Sequence, residues 1–340
     1  MLNLISDQYK TIDHTKFKKF NNKTVLITGA NGLIGLNLLA FLVYLKKFYT
    51  IDIVCSVNSK PEKYTEALFK DCTVFIGDLT LEQSVSKIEN YFADRSFGAD
   101  IIFHTAGYAQ PNRFTKDKIS TIKLNTTCTM NLFRLLNKNG TFFYASSSEI
   151  YSGLNRCLVK EEEIGTTTPT HPRACYIESK KCGETICLSM MDQYNIKIGR
   201  ISTTYGPGVK ADDTRVISSL INKGLKFGKI DLLDNGESIR TLCYIKNLIE
   251  MICEITLNGS DIIYNLTGTT KISIKDIANI ISDDLSCEIT YGSQPIEGNP
   301  AVVSVSIDKY EKEFGKINEE NINNGIKNTI LWAKFIKELV

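Results

Sequence analysis

The chain has 340 residues, 43% hydrophobic and 23% charged, and its 40 Lys+Arg against 38 Asp+Glu leave a formal net charge of +2. At roughly 150 residues per domain this length predicts about two domains with an ample core. The balance of charge excludes a nucleic-acid binder or an acidic tail protein that works by bulk field, so any phosphate must be held locally.

Residues 1–22 are polar and mixed in charge, without the apolar stretch of a secretion signal, and are read as an N-terminal extension. A β-branched run at 23–28 leads directly into Gly29, Gly32 and Gly35, and an apolar helix is predicted over 33–47. Runs of strand length follow at 51–57, 73–76, 101–104, 141–146 and 196–201, separated by helical patterns at 81–94, 116–137 and 174–194. This alternation predicts an α/β fold, a doubly wound parallel sheet of the Rossmann type covered on both faces. After Tyr205-Gly206-Pro207-Gly208 the elements shorten, with turns at Asp234-Asn235-Gly236, Asn258-Gly259, Gly292-Ser293 and Gly298-Asn299-Pro300. The expected division is a cofactor domain over 23–201 with a return at about 237–257, and a smaller substrate lobe over 202–236 and 258–340. Ten scattered cysteines without a Cys-x-x-Cys predict reduced thiols in a cytosolic protein. Three histidines without ligand spacing predict no metal site, and no apolar run reaches the roughly 20 residues that span a bilayer.

Strand, glycine turn and helix in immediate succession are the context in which Gly29, Asn31, Gly32, Leu33, Ile34 and Gly35 would cradle a pyrophosphate at a helix N-terminus. The end of the second strand lacks the carboxylate that usually holds an adenosine ribose. Asn58 is the candidate there, and the neighbouring Ser59 and Lys60 leave NAD and NADP both open. Asp78 and Leu79 follow the third strand, where Asp78 can meet an adenine edge or cap a helix. Tyr176 and Lys180, four apart, share one helix face, and a lysine ammonium beside a phenol favours phenolate and so makes a base. Ser146-Ser147-Ser148-Glu149 ends an earlier strand, where such folds place ligand contacts.

Nine motifs in order, from Thr28–Gly35 through Asp78-Leu79, His104–Gly107, Asn125, Ser146–Tyr151, Pro172–Tyr176 with Lys180, Arg200 with Tyr205-Gly206-Pro207, and Asp212–Val216 to Arg240–Tyr244, resemble the extended short-chain dehydrogenase/reductases that act on nucleotide-diphosphate sugars. The resemblance implies that Tyr176 is the base, Lys180 orients the nicotinamide ribose, and Ser147 bonds the reacting hydroxyl. It further implies that Asn125 supports the site, Ala106 lines the cofactor, and Arg215 and Arg240 face the substrate's diphosphate. The shared first step is oxidation at the sugar C4, after which the ketone permits decarboxylation, dehydration or epimerisation.

Dehydratases of the family carry an Asp-Glu pair after the serine. This chain has Ser148-Glu149, which is similar to UDP-glucuronate decarboxylases, whose reaction needs no acid at a leaving hydroxyl. Thr203, where relatives place an asparagine, and the loop at Tyr108 depart from the usual pattern near the sugar. The expectation is therefore an NAD-dependent UDP-glucuronate decarboxylase with catalytic Ser147, Glu149, Tyr176 and Lys180. The alternatives are a 4-epimerase or 4,6-dehydratase, or an inactive dinucleotide sensor. The expected partners are a nucleotide-sugar substrate and a second copy of the chain paired through the helices at 116–137 and 174–194.

Overall fold

The computed structural model describes residues 3–154, 156–293 and 302–339. The predicted turn at Gly298-Asn299-Pro300 lies outside them. In chain order the elements begin with α1 (Asn3–Ser6), two 3-10 turns (Asp7–Thr11, His14–Phe20), β1 (Lys23–Thr28), α2 (Leu33–Leu45), β2 (Ile51–Val57) and β3 (Thr73–Ile76). Then come α3 (Glu82–Ala93), β4 (Ala99–His104), α4 (Pro111–Phe114), α5 (Lys118–Asn125), α6 (Thr127–Leu132), β5 (Leu136–Ser147), α7 (Ala174–Leu188) and β6 (Asn195–Ile201). The rest are β7 (Thr203–Tyr205), α8 (Val216–Phe227), β8 (Lys229–Leu232), β9 (Ile239–Tyr244), α9 (Ile245–Asn258), β10 (Ile263–Leu266), β11 (Lys271–Ser273), α10 (Ile274–Leu285), β12 (Glu288–Tyr291), β13 (Val302–Val303), α11 (Asp308–Phe314) and α12 (Ile322–Leu339).

Seven strands form one sheet in the order β10-β6-β5-β4-β1-β2-β3, with every neighbouring pair parallel. Strands β1, β2, β4 and β6 are largely buried because both faces are covered, and period-two alternation splits the sheet's side chains between two cores. Val25, Ile27, Ile101, Phe103 and Phe143 face α2, α9 and the N-terminal segment. Leu26, Ile102, Phe142 and Tyr144 face α3, α6 and α7. The order reverses between β1 and β4, which opens a crevice at the carboxyl ends of the strands, the place where doubly wound sheets bind ligands. A four-stranded sheet of β7, β9, β11 and β13 and a β8–β12 pair lie outside this sheet.

The helix expected over 116–137 is broken: α5 ends at Asn125, Thr126 takes φ −120 and ψ −82, and α6 runs only to Leu132. The break places Asn125 at a helix end, where its side-chain amide bonds Ser179 on α7 at 2.9 Å. Strand β5 accordingly starts at Leu136, earlier than its apolar run suggests, and α7 stops at Leu188 rather than 194. The edge strand β10 is an addition to the six expected strands.

Helix α2 is apolar on every side because it is buried on every side. The N-terminal segment lays Ile5, Tyr9, Ile12, Phe17 and Phe20 into the same core, all buried. The one polar residue at the centre of the helix, Asn37, is fully satisfied. Its Oδ1 accepts from the Tyr9 hydroxyl and the Gln8 amide, both at 2.8 Å, and its Nδ2 donates to the carbonyls of Leu33 at 3.0 Å and Pro207 at 2.9 Å.

Candidate active site

The turn from β1 into α2 is backbone against backbone. Gly29 has φ +69, and a Cβ there would lie 2.8 Å from the Cα of Ala106; a Cβ on Gly35 would lie 2.3 Å from the Gly29 carbonyl. Both glycines are needed for the turn itself. Gly32 caps α2 without a side chain, so no hydroxyl or carboxylate competes for the N–H groups of the first turn. That leaves the positive end of the helix to an anion. Asn31 donates to the Ser59 carbonyl at 3.1 Å and so ties the turn to the Asn58-Ser59 loop. Asn58 is exposed at the end of β2, and Lys60 beside it is paired with Glu66 at 3.6 Å. Asp78 accepts from the backbone N–H of Thr80 at 2.9 Å, closing a local turn rather than capping α3, whose N-cap is Leu81. Leu79 is buried.

Deeper in the crevice, Tyr176 and Lys180 stand on the buried face of α7, with Ser147 at the end of β5 beside them. Burial pushes the Tyr176 phenol up to about 12; the Glu149 carboxylate adds to the rise, while the Ser147 hydroxyl and the Arg173 and Arg215 guanidiniums oppose it. Burial pulls the Lys180 ammonium down to about 8. Its Nζ donates to the Ala145 carbonyl at 2.7 Å and lies 5.9 Å from the Tyr176 ring centre. The expected lowering of the phenol by Lys180 is not what opposes the rise; Ser147, Arg173 and Arg215 do, and desolvation with Glu149 prevails. A Cβ on Gly107 would sit 3.8 Å from both Lys180 Nζ and Asn125 Oδ1, and Asn125 Oδ1 is buried without a partner. An unpaired buried acceptor and a buried ammonium beside Gly107, near a glycine-capped helix, fit a dinucleotide whose ribose hydroxyls can donate and accept there.

Glu149 follows Ser147 in the 3-10 turn that closes β5, its backbone N–H donating to Ser147 Oγ at 3.2 Å. Its Oε1 accepts from Arg173, and its Oε2 is buried with no partner. Burial raises the carboxyl above its ordinary range, and Arg173 works against that rise. Phe114, the last residue of α4, stacks on the Tyr176 ring with centres 4.7 Å apart and planes 10° apart. Arg173 lies over the other partner of that stack, 5.5 Å from the Phe114 centre.

The remaining candidates spread around this cluster. Ser148 is half-buried beside Glu149, and Thr203 is half-buried on β7. Tyr108 is partly buried against the core that holds Leu26 and Tyr144, its phenol raised by burial and then by the Asp78 and Asp117 carboxylates. Ala106 is half-buried against the glycine turn and donates to Thr28 Oγ1 at 3.2 Å. Arg215 precedes α8 and is forked onto Asp213 at 2.6 to 3.2 Å; Arg240 is half-buried on β9, donating to the Ile239 carbonyl at 2.8 Å. Arg173 and Phe114 were missed as site residues. Arg173 had a signal, since it stands three residues before Tyr176 at the start of α7. Phe114 had none, because a lone aromatic in a four-residue helix carries no periodicity.

A sequence profile of the NAD dependent epimerase/dehydratase family matches residues 25–267. Among curated proteins the chain is 31% identical to UDP-glucuronic acid decarboxylase 1 of Xenopus tropicalis over 185 residues, 54% of this chain and 44% of that protein. It is 26% identical to UDP-glucuronic acid decarboxylase 6 of Arabidopsis thaliana, over 77% of this chain and 74% of that one. Among solved structures it resembles an epimerase of the methanogen Methanothermobacter thermautotrophicus, with a TM-score of 0.81 at 18% identity over 99% of this chain and 97% of that one. The first three curated relatives are matched over about half of their length or less.

Proposed function

The chain belongs to the NAD dependent epimerase/dehydratase family, and on that premise we propose that it oxidises a nucleotide-diphosphate sugar at C4 and then decarboxylates it, with UDP-glucuronate as substrate. Bound NAD supplies a hydride acceptor, a positive charge and a hydride donor for the return step. Its holders in this chain are the turn Gly29–Gly35 with Asn31, Leu33 and Ile34, the adenosine side at Asn58, Asp78 and Leu79, and Ala106, Asn125, Tyr176 and Lys180 at the nicotinamide end. The Lys60–Glu66 pair puts a carboxylate beside the lysine nearest Asn58, which favours NAD over a 2′-phosphorylated cofactor.

Tyr176 takes the proton of the C4 hydroxyl, and Ser147 holds that oxygen by hydrogen bonding. The resulting 4-keto acid has its carboxylate β to the ketone, so carbon dioxide leaves with its electrons drawn towards the C4 oxygen at Tyr176. C5 must then gain a proton. Glu149, raised by its burial, carries a proton more readily than an exposed carboxyl and is placed for that step.

The observation that carries this reading is the site's carboxylate content. Glu149 stands beside Ser147 and Tyr176, and the neighbouring position, where an elimination would need an acid, is Ser148. Arg215 and Arg240 bind the diphosphate, Arg215 by trading part of its fork on Asp213 for phosphate oxygens. Tyr108, Ser148 and Thr203 line the sugar side. Two copies pair through α5, α6 and α7, where Ile119 is 64% and Met130 51% exposed.

Mass spectrometry after incubation of the NAD-loaded protein with UDP-glucuronate and UDP-glucose tests the reaction. Loss of carbon dioxide from the first is expected. Loss of water would make the protein a dehydratase, and an isomer of unchanged mass an epimerase.

A further inference from the structure

We propose that Arg173 is the positioning residue for Glu149: its guanidinium, set against the Phe114 ring, aims the carboxylate at the sugar and governs whether it carries a proton. The inference rests on the reading of Glu149 as a site carboxylate given above.

Arg173 is fixed from several sides. Its backbone N–H donates to His171 Nδ1 at 3.2 Å, and its carbonyl accepts from the N–H of Tyr176 at 3.0 Å and of Ile177 at 3.1 Å, the start of α7. The side chain then turns back over Phe114, 5.5 Å from the ring centre, and meets Glu149 Oε1. Phe114 is itself held by its stack on Tyr176. Its loop is tied to the segment before α8: Gln110 bonds Asp213 at 3.3 Å, Thr214 bonds Asn112 at 2.6 Å, and Arg113 pairs with Asp212. The order Tyr176, Phe114, Arg173, Glu149 is thus a continuous stack that couples the base to the carboxylate.

The ion pair is only half satisfied. Glu149 Oε2 and Arg173 Nε are both buried without a partner. A half-buried carboxylate with one oxygen unpartnered holds a proton more readily than an exposed one, and a single arm of Arg173 opposes that. The groups that face this carboxylate are few. Arg173 immediately precedes α7, Tyr176 lies on it and Ser147 ends β5; Arg215, just before α8, acts on Tyr176 and is already bound by Asp213. Lys180 directs its Nζ to Ala145. Among the described residues Arg173 is the cation paired with Glu149.

The test uses the full chain loaded with NAD, as wild type, Arg173→Gln, Arg173→Lys and Glu149→Gln. Without sugar, infrared difference spectra of each protein against its Glu149→Gln counterpart near neutral pH report the protonation of Glu149. The expected result is a larger share of protonated carboxyl in Arg173→Gln than in the wild type, with the lysine variant returning towards the wild-type ratio. With UDP-glucuronate, the pH limb of kcat that disappears in Glu149→Gln should move up by about one pH unit or more in Arg173→Gln. A carboxylate band in Arg173→Gln identical to that of the wild type overturns the proposal, as does a uniformly lower kcat with an unmoved limb. If the wild type leaves UDP-glucuronate intact, the substrate reading has failed, and the infrared result alone decides the role of Arg173.

Discussion

Tyr176 sits where burial and a neighbouring carboxylate both oppose phenolate, so its proton transfer depends on positive charge gathered around it. Replacing it with phenylalanine removes the acceptor and leaves the ring stack on Phe114. The expected outcome is a fall in kcat of about 10²–10⁴ with NAD binding retained, measured by steady-state kinetics and cofactor titration. His104 belongs to the same layer but works on stability. Its Nε2 donates to the Leu124 carbonyl at 3.2 Å and its Nδ1 accepts from Thr28 Oγ1 at 2.8 Å, and burial, followed by the Lys180 charge, lowers its pKa to about 3. The unfolded chain takes a proton on this imidazole near 6.5 that the folded chain refuses, so stability is full above that pH and falls as pH drops towards about 3. Urea unfolding at several pH values should show this slope, reduced in His104→Gln. A spacing of four made Tyr176 and Lys180 legible in the sequence, because helix geometry alone puts them on one face. Glu149 and Arg173 lie 24 residues apart on different elements, and their pairing depends on the fold.

At the scale of elements, the apolar sequence of α2 announced a buried helix but could not say what buries it. The cover is the N-terminal segment, and the link is Asn37, whose partners lie 28 residues upstream and 170 residues downstream. Asn37→Leu leaves the buried Tyr9 hydroxyl without its acceptor, at a cost of roughly 1–3 kcal/mol to be read by chemical denaturation. An unchanged midpoint would show that the segment is held by its apolar residues alone. The broken helix at Thr126 escaped the periodicity for a related reason. Asn125 and Thr126 are only mildly unfavourable in a helix, and the break is fixed by the tertiary bond from Asn125 to Ser179. The glycine turn was legible because every demand on it is local: a positive φ at Gly29 and close backbone packing at Gly35.

Across the whole molecule, one buried polar seam joins the carboxyl ends of the parallel strands to the segments beyond them. Ser146 on β5 bonds Glu184 on α7, Glu184 pairs with Arg200 on β6 at 2.7 Å, and Arg200 reaches the Tyr151 hydroxyl at 2.8 Å. Tyr151 then donates to Asn265 on β10 at 2.8 Å, and Asn265 holds the carbonyls of Val159 at 3.1 Å and Ser306 at 3.0 Å. Arg200→Met leaves Glu184 buried and unpaired, so a loss of about 3–5 kcal/mol in unfolding free energy is expected. The seam runs directly beneath Ser147, which ties the stability of the molecule to the geometry of the site. The central claim is that this site removes the sugar's carboxyl carbon after oxidation at C4. Its most direct test is the fate of isotope placed in the carboxyl group of UDP-glucuronate, followed in wild type and Tyr176→Phe. The account predicts labelled carbon dioxide and an unlabelled UDP-pentose from the wild type alone. Label that stays in the nucleotide sugar would contradict it.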